Sequence, residues 1–198
     1  DMARCDLYLG WAFDPYYSGY LNAQAAERAK AAGTKFIVID PKITPAVEKL
    51  ADLHLRPWPG TDGALALCIG NVLIQKGWID RDFIRDQVHG FEAYAAYAAG
   101  FNEGNVEQLT GVPYDQVVRA CEMIRDAKSI SSHENSAPIP HHKNGLQNYR
   151  AITALLALTG NFDREGGQLP TRHTFTHQIS GFETREEEWM DATEPAHV

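Results

Sequence analysis

Two aspartates stand where short apolar segments of this chain stop, and they are the residues best placed to do chemistry. Asp40 ends the apolar run 36–39, and Asp62 closes the turn 59–62 that follows the alternating segment 53–57. A carboxylate offers acceptor oxygens and no donor, so it suits the hydroxyls of a ribose or the N–H groups of a base. Turn formation before proline and helix capping are the structural alternatives for both residues.

The elements around these acids predict a parallel sheet. Residues 36–39 indicate a strand buried on both faces, and 6–10 and 53–56 indicate two more strands. Between the first two strands, Leu21, Ala25, Ala29 and Ala32 share one face of a predicted helix over 16–32, which Gly33 ends. A strand, a helix and a parallel strand form a right-handed βαβ unit, and ligands bind at the carboxyl edge of such a sheet.

Further helices are predicted along the rest of the chain. Thr44 caps a short helix that starts at Pro45, and Asp62 is expected to cap a nearly all-apolar, buried helix over 63–76. Other helices are expected after Asp80, over 91–101, after Pro113 and over 146–159, with Val117, Cys121 and Ile124 facing inwards in the third of these. Residues 128–132 are a weak strand candidate.

These elements predict an α/β protein with a three-layer, Rossmann-like parallel sheet, flanking helices and extra helices from an adjoining α/β domain. We expect residues 1–130 to form the nucleotide-binding domain, 131–170 to belong to the adjoining domain, and 171–198 to be a peripheral or truncated tail. The first residues run almost directly into a strand, which suggests a piece of a longer chain.

The composition of the chain argues against several classes of function. The chain has 198 residues and a net charge of −8, which argues against bulk binding to nucleic acid or anionic membranes because both require a basic surface. No apolar run approaches the length of a membrane span. Cys5, Cys68 and Cys121 form no C-x-x-C pair, so no iron–sulfur or zinc site is signalled and each is expected to be a small buried residue.

A polar loop over 132–145 carries His133, His141, His142 and Lys143. The histidines could bind a metal or act as a general base, but no carboxylate or cysteine stands at ligand spacing, so contact with an anion or exposure to solvent is favoured. The Gly10 loop lacks the G-x-G-x-x-G pattern of a nicotinamide site. No serine lies in a nucleophile-elbow motif.

The order of several motifs resembles one known family. The motifs are Gly10 to Asp14-Pro15, Val38-Ile39-Asp40-Pro41-Lys42, Pro59-Gly60-Thr61-Asp62-Gly63, His141-x-x-Asn144-Gly145 with Arg150-Ala151-Ile152, and Leu158-Thr159-Gly160-Asn161 with Gly166-Gly167. Residues 5–170 thereby resemble the central part of a molybdopterin oxidoreductase of the dimethyl sulfoxide reductase family. Such enzymes carry molybdenum or tungsten on molybdopterin guanine dinucleotides.

The resemblance implies roles for particular residues. Asp40 and Asp62 would contact the ribose or guanine of one cofactor, with Pro41 and Lys42 beside them and Gly60 allowing close approach of the backbone. The loop from Gly10 and Trp11 to Asp14 would lie by the diphosphate. His141, Asn144 and Asn161 would lie near the pterin ends.

The resemblance also implies what lies outside this segment. The metal ligand is expected there, so catalytic residues are not assigned and no metal site is predicted within the chain. An iron–sulfur cluster is a candidate feature of the missing segments, and the expected partners are the remaining domains of the polypeptide and an iron–sulfur electron-transfer subunit. The segment alone is expected to be inactive, and the sequence is compatible with either the cytoplasm or the periplasm.

Two departures from the family pattern affect the site. Asp14-Pro15 stands where Asn-Pro is usual, and Lys42 stands where arginine is common, which removes a planar fork of donors. Two other readings remain open. One is a cofactor-free scaffold domain resembling the large iron–sulfur subunit of respiratory complex I, and the other is a different Rossmann-like nucleotide or thiamine-diphosphate enzyme domain.

Overall fold

Four parallel strands form the centre of the computed structural model, which describes residues 2–134, 138–141 and 143–168. The strand order is β3-β2-β1-β4, and every neighbouring pair is parallel. The predicted three-layer parallel α/β fold is therefore confirmed. The strands are β1 (Leu7–Trp11), β2 (Lys35–Ile39), β3 (Leu53–Leu55) and β4 (Ile130–Glu134).

A single 3-10 turn, Met2–Arg4, precedes the sheet, and helices connect the strands. The helices are α1 (Pro15–Ser18), α2 (Tyr20–Ala32), α3 (Pro45–Leu50), α4 (Asp62–Lys76), α5 (Arg81–Gln87), α6 (Phe91–Ala98), α7 (Val106–Thr110), α8 (Tyr114–Asp126) and α9 (Gly145–Leu158). Among the described residues, none of these helices combines the length and the apolar character that a membrane crossing requires.

The sheet separates two apolar cores. On one face, Tyr8, Phe36 and Val38 pack with the buried alanines of α2 and with Ala46 and Leu50 of α3. The opposite core is larger, and in it the alternate strand residues meet α4, α8 and α9. Because successive strand residues point to opposite faces, burial on both faces produces the continuous apolar run seen in β2.

Strand β1 lies in the middle of the sheet. Leu9 is level with Ile37 of β2 on one side and with Ser132 of β4 on the other. The fourth strand was expected two residues earlier, and it pairs on the free side of β1 after a long crossover through α4 to α8. The carboxyl ends of β1, β2 and β3 consequently meet at one edge.

The first predicted helix is wrong in two respects. It is broken at Gly19 into α1 and α2, and its buried residues are Ala23, Ala26 and Ala29. The expected inward residue Leu21 is instead 78% exposed. Of the residues expected to face inwards, Ala29 is buried, but the buried positions are three residues apart from Ala23 rather than four residues apart from Leu21.

Other helix boundaries also differ from the predictions. Asp62 is the first residue of α4 rather than its cap, and Thr61 takes the capping position without a side-chain hydrogen bond to the helix. The helix expected over 91–101 ends at Ala98, and α7 was not predicted. The capping roles of Thr44 and Asp80 are confirmed, because their side chains accept hydrogen bonds from the N–H groups of Val47 and Phe83.

Residues 131–168 contact the first part of the chain extensively where they are described. Strand β4 belongs to the same sheet as β1, and α9 packs along α4. The division of the complete protein at residue 130 stays a prediction. The expected tail over 171–198 lies outside the described residues.

Candidate functional site

The carboxyl edge of the sheet gathers polar residues that directly follow three strands. Asp14 lies three residues beyond β1, Asp40 is the first residue after β2, and Arg56 is the first after β3. Backbone hydrogen bonds hold these strand exits together: Ala12 N–H donates to Ile39 O at 2.9 Å and Asp40 N–H donates to Leu55 O at 3.1 Å. The edge is therefore a continuous surface.

Asp14 caps helix α1 and keeps one carboxylate oxygen unused. Its Oδ1 accepts from Tyr16 N–H at 3.0 Å, and the preceding loop contains Ala12 in the left-handed region at φ 50°. The other oxygen, Oδ2, is buried and has no hydrogen-bond partner among the described residues. A buried acceptor without a donor carries a desolvation cost of roughly 1–3 kcal/mol, so this oxygen is suited to a donor from a ligand.

Asp40 is half-buried at the exit of β2. Its Oδ1 accepts from Lys42 N–H at 2.8 Å, which forms a tight turn after β2. Burial raises the pKa of Asp40, and the negative charge of Asp14 raises it further, against the lowering effect of the Lys42 N–H and of the charges on His54 and Lys42. The exits of the first two strands thus each present a carboxyl group at this edge of the sheet.

Basic groups border the same two acids. His54 donates from Nε2 to Asp40 O at 2.8 Å, and Arg56 donates from Nε to Pro41 O at 3.2 Å. Lys42 and Arg56 are exposed. His54 and Arg56 were not singled out from the sequence, although Arg56 follows its strand in the same manner as Asp40, and that position was the available signal.

The turn before α4 is shaped by glycine. Gly60 has φ +85°, a conformation that side chains other than glycine rarely adopt. Thr61 donates from Oγ1 to Trp58 O at 2.7 Å, which closes the turn directly before Asp62. Asp62 has interaction partners within the folded chain. It lies in the first turn of α4, where the helix dipole stabilises a negative charge.

An open cleft of about 710 Å³ begins at this turn. Its wall combines backbone of the turn with aromatic and polar side chains, and includes Gly60, Thr61, Tyr94, Tyr97, Asn144 and Arg150. A cleft of this size can hold a small-molecule ligand. It lies between α4, α6 and the start of α9.

Trp11 and Gly10 lie inside the sheet edge rather than on its surface. Trp11 is fully buried, and its indole Nε1–H is buried with no acceptor among the described residues. A Cβ added at Gly10 would lie 3.3 Å from the ring of Phe13, so a larger residue would require that ring to move.

The remaining predicted residues differ in their exposure. His141 and Asn144 are exposed, and Asn144 donates to Asn148 Oδ1 at 3.2 Å. Asn161 is 2% exposed; its Oδ1 accepts from Ile130 N–H at 2.8 Å and its Nδ2 donates to Thr159 O at 2.9 Å. The amide of Asn161 therefore ties β4 to the loop after α9.

The histidine loop is described only in part. His133 lies on β4 with its ring 4.9 Å from the ring of Phe13, whereas His142 falls outside the described residues. Across the described ranges, no group of three histidine, cysteine, aspartate or glutamate side chains is arranged to hold a metal ion. The three cysteines are buried and unpaired, as expected.

Comparisons with known proteins match almost the whole chain. A family model described as molybdopterin oxidoreductase matches residues 5–182. Formate dehydrogenase H of Escherichia coli is 31% identical over 174 residues, covering 87% of this chain and 24% of the relative. An F420-dependent formate dehydrogenase 2 subunit alpha of Methanococcus maripaludis is 30% identical over 84% of this chain and 24% of its own length.

Two further proteins extend these matches. The dimethyl sulfoxide/trimethylamine N-oxide reductase of Rhodobacter capsulatus is 28% identical over 80% of this chain. The solved structure of acetylene hydratase from Pelobacter acetylenicus matches with a TM-score of 0.76 and 27% identity, covering 88% of this chain and 24% of that one. The chain thus spans between about a fifth and a quarter of the length of these proteins.

Proposed function

The chain belongs to the molybdopterin oxidoreductase family, and from this premise we propose that it binds the guanosine end of a molybdopterin guanine dinucleotide. The observation that carries the proposal is that the exits of β1 and β2, joined by the hydrogen bond from Ala12 N–H to Ile39 O, present Asp14 and Asp40 at the carboxyl edge of the sheet. The buried Asp14 Oδ2 has no donor from the described residues, so a ligand hydroxyl or N–H would supply one.

The other residues at this edge fit a nucleoside. Asp40 offers a carboxylate for the ribose, and Asp62, which directly follows the turn before α4, offers another for the base. Gly60 leaves the backbone free of a side chain where a ring would approach. The buried indole Nε1–H of Trp11 has no acceptor among the described residues, and a polar group of the ligand would supply one.

Charge decides where the diphosphate would lie. The Asp14 carboxylate occupies the start of α1, so an anionic group at that helix end would be repelled. Lys42 and Arg56 are exposed cations at the neighbouring strand exits. We therefore propose that the diphosphate lies beside the Gly10–Pro15 loop on the side of Lys42 and Arg56, away from the Asp14 carboxylate, which would bind a hydroxyl or N–H group instead.

The loops after the sheet would serve the opposite end of the cofactor. We propose that His141 and Asn144, which are exposed, lie towards the pterin. Asn161 would position these loops and not contact the cofactor directly, because its amide is hydrogen-bonded to the backbone at the start of β4 and after α9.

The full-length protein would be an oxidoreductase, and its other domains would supply the metal ligand. Family membership implies a molybdopterin cofactor with molybdenum or tungsten, which when bound supplies the redox chemistry. Relatives named as formate dehydrogenases make a small oxidisable acid one candidate substrate class. An iron–sulfur cluster and an iron–sulfur electron-transfer subunit stay predictions, as does the guanine dinucleotide form of the cofactor.

The proposal is tested in the purified full-length protein. Asp40→Ala and Asp62→Ala should each lower the amount of guanosine monophosphate that acid hydrolysis releases per mole of protein, because each removes an acceptor for the nucleoside. A loss of one charged hydrogen bond corresponds to roughly tenfold weaker binding. Molybdenum and tungsten content should fall in parallel.

Asp82→Ala is the matched control, because Asp82 forms an exposed ion pair with Arg85 on α5. It should leave the nucleotide content unchanged. Wild-type nucleotide and metal content in both Asp40→Ala and Asp62→Ala would contradict the proposed site.

A further inference from the structure

The turn that carries Asp62 is connected to helix α9 by one buried amide. Asn148 is 2% exposed, and its Nδ2 donates to Gly60 O at 3.1 Å. These two residues are far apart in the sequence, so the hydrogen bond joins separate parts of the fold. The Oδ1 of Asn148 in turn accepts from Asn144 Nδ2 at 3.2 Å.

Close approach of the two helices makes this bond geometrically possible. Helices α4 and α9 pack against each other, and Gly63 faces Asn148 where they meet. A Cβ added at Gly63 would lie 3.0 Å from Asn148 Cα and 3.1 Å from its Cγ. These two contacts are tighter than almost all real Cβ contacts, and the added Cβ would also overlap Asn148 Oδ1, so the absence of a side chain at Gly63 leaves room for Asn148.

The turn is thus held from two directions. On the near side, Thr61 donates from N–H and Oγ1 to Trp58 O at 3.1 and 2.7 Å. On the far side, Asn148 holds the carbonyl of Gly60, which belongs to the same peptide unit as the Thr61 N–H. The plane of that peptide sets the direction in which the chain enters α4 at Asp62.

We propose that Asn148 is a positioning residue for Asp62. Asn148 fixes the Gly60 peptide. Because Asn148 also accepts a hydrogen bond from Asn144, which we propose lies towards the pterin, it connects the two ends of the cofactor site. This inference rests on the proposed function, since it takes Asp62 as a contact to the guanosine. Loss of the Asn148 donor would leave the Gly60 carbonyl without this bond and let the turn sample other conformations.

The test compares Asn148→Asp with Asn71→Asp in the full-length, cofactor-loaded protein. Both changes keep the side-chain shape and remove an amide donor. Asn71 is a matched control because it is 3% exposed on α4 and donates from Nδ2 to Phe101 O at 2.9 Å, away from the turn. The measured quantity is the rate at which guanosine monophosphate, assayed after acid hydrolysis, disappears from the protein during dilution and gel filtration.

We expect Asn148→Asp to accelerate this loss about tenfold, the equivalent of one buried hydrogen bond to the turn, and Asn71→Asp to leave it within about twofold of wild type. The same Asn148→Asp change in an Asp62→Ala background should add less than about twofold, because its effect passes through Asp62. Asn148→Ala removes the donor without adding charge and gives the same comparison if the aspartate variant does not accumulate.

The outcomes separate this inference from the proposed function. Equal acceleration by Asn148→Asp in both backgrounds, or equal acceleration by Asn71→Asp, would show that Asn148 only supports the fold. If Asp62→Ala speeds the loss but the Asn148 variants do not, the inference fails and the nucleotide site stands. If Asp62→Ala itself loses the nucleotide at the wild-type rate, Asp62 is not a cofactor contact. The inference about Asn148 and the proposed role of Asp62 are then both wrong.

Discussion

At the scale of single residues, the sheet edge is distinguished by carboxyl groups that are only partly satisfied. Asp14 uses one oxygen to cap α1 and leaves the other buried without a donor from the described residues. The negative charge of Asp14 contributes to the raised pKa of Asp40. Such an arrangement is unfavourable in the empty protein and becomes favourable when a ligand brings hydroxyl or N–H donors.

The raised pKa of Asp40 predicts a pH dependence of cofactor retention. Because the ionised form of Asp40 would accept hydrogen bonds from the ribose hydroxyls, retention should weaken as the pH falls through this raised pKa. Asp14→Asn removes the neighbouring negative charge, so the pKa of Asp40 should fall and the midpoint of the pH dependence should move to lower pH. The measurement is the rate of guanosine monophosphate loss from full-length protein between about pH 4 and pH 8.

Asp40→Asn provides the reference for this prediction, since it cannot titrate and should abolish the pH step. An unshifted midpoint in Asp14→Asn would show that the two carboxyl groups are not coupled. In the ligand-free protein, the stability of the fold depends on pH in the opposite direction. A carboxyl group whose folded pKa is raised favours the folded state at low pH, and that contribution is lost as the pH rises through the unfolded and folded pKa values.

At the scale of elements, Asp52 connects α2 with the entry to β2. It accepts from Lys30 Nζ at 2.6 Å and from Phe36 N–H at 2.8 Å, with Lys35 Nζ at 3.4 Å. Burial alone would raise the pKa of Asp52, but the hydrogen bonds from Lys30 and Phe36 outweigh it and the pKa is lowered. Asp52 therefore anchors the strand whose other end presents Asp40.

We expect Asp52→Ala to lower the free energy of local opening around β2 by about 2 kcal/mol, because a buried N–H and an ammonium group lose one shared acceptor. The measurement is hydrogen–deuterium exchange of the β2 amides, Lys35–Ile39, in the full-length protein. Asp82→Ala, which removes an exposed ion pair with Arg85 on α5, is the control and should leave this exchange unchanged.

The lowered pKa adds a second check on the same residue. The contribution of Asp52 should be complete at neutral pH and should be lost as the pH falls through its native pKa. Unchanged exchange of β2 in Asp52→Ala at neutral pH would contradict the anchoring role.

At the scale of the whole molecule, the larger core lies between the sheet and helices α4, α8 and α9. Cys68 and Cys121 lie in this core, both fully buried, and Cys121 Sγ is 3.6 Å from Ile69 O. Burial raises the pKa of the Cys68 thiol to about 12 and also raises the pKa of Cys121. The helical layer thus seals two thiols away from solvent.

We expect neither Cys68 nor Cys121 to react with iodoacetamide in the native full-length protein near pH 8, because the thiolate is the reactive form and the core excludes the reagent. Both should react completely in denaturant. The measurement is mass spectrometry of the labelled peptides. Rapid labelling of either cysteine in the native protein would contradict the packing of α4 on α8.

The sequence by itself determined the kind of fold and the position of the acids along it. Local rules account for this: a short apolar run buried on both faces must be a central strand, and a polar residue after such a run must lie at its carboxyl end. Asp40, the cap residues Thr44 and Asp80, and the inner face of α8 were therefore predictable. The phase of α2 was not, because the side chains accepted by the sheet depend on the distance between the two layers.

Only the tertiary structure decided which of these residues act together. The pairing of β4 with β1 and the packing of α9 on α4 depend on contacts between residues far apart in the chain, and no local pattern encodes their geometry. In the folded chain, Asn148 donates a hydrogen bond to Gly60 O, and Asn161 accepts one from the N–H of Ile130. Burial likewise left Asp14 Oδ2 without a donor from the part of the chain that the structure describes, and this is a property of the assembled edge and not of any one strand.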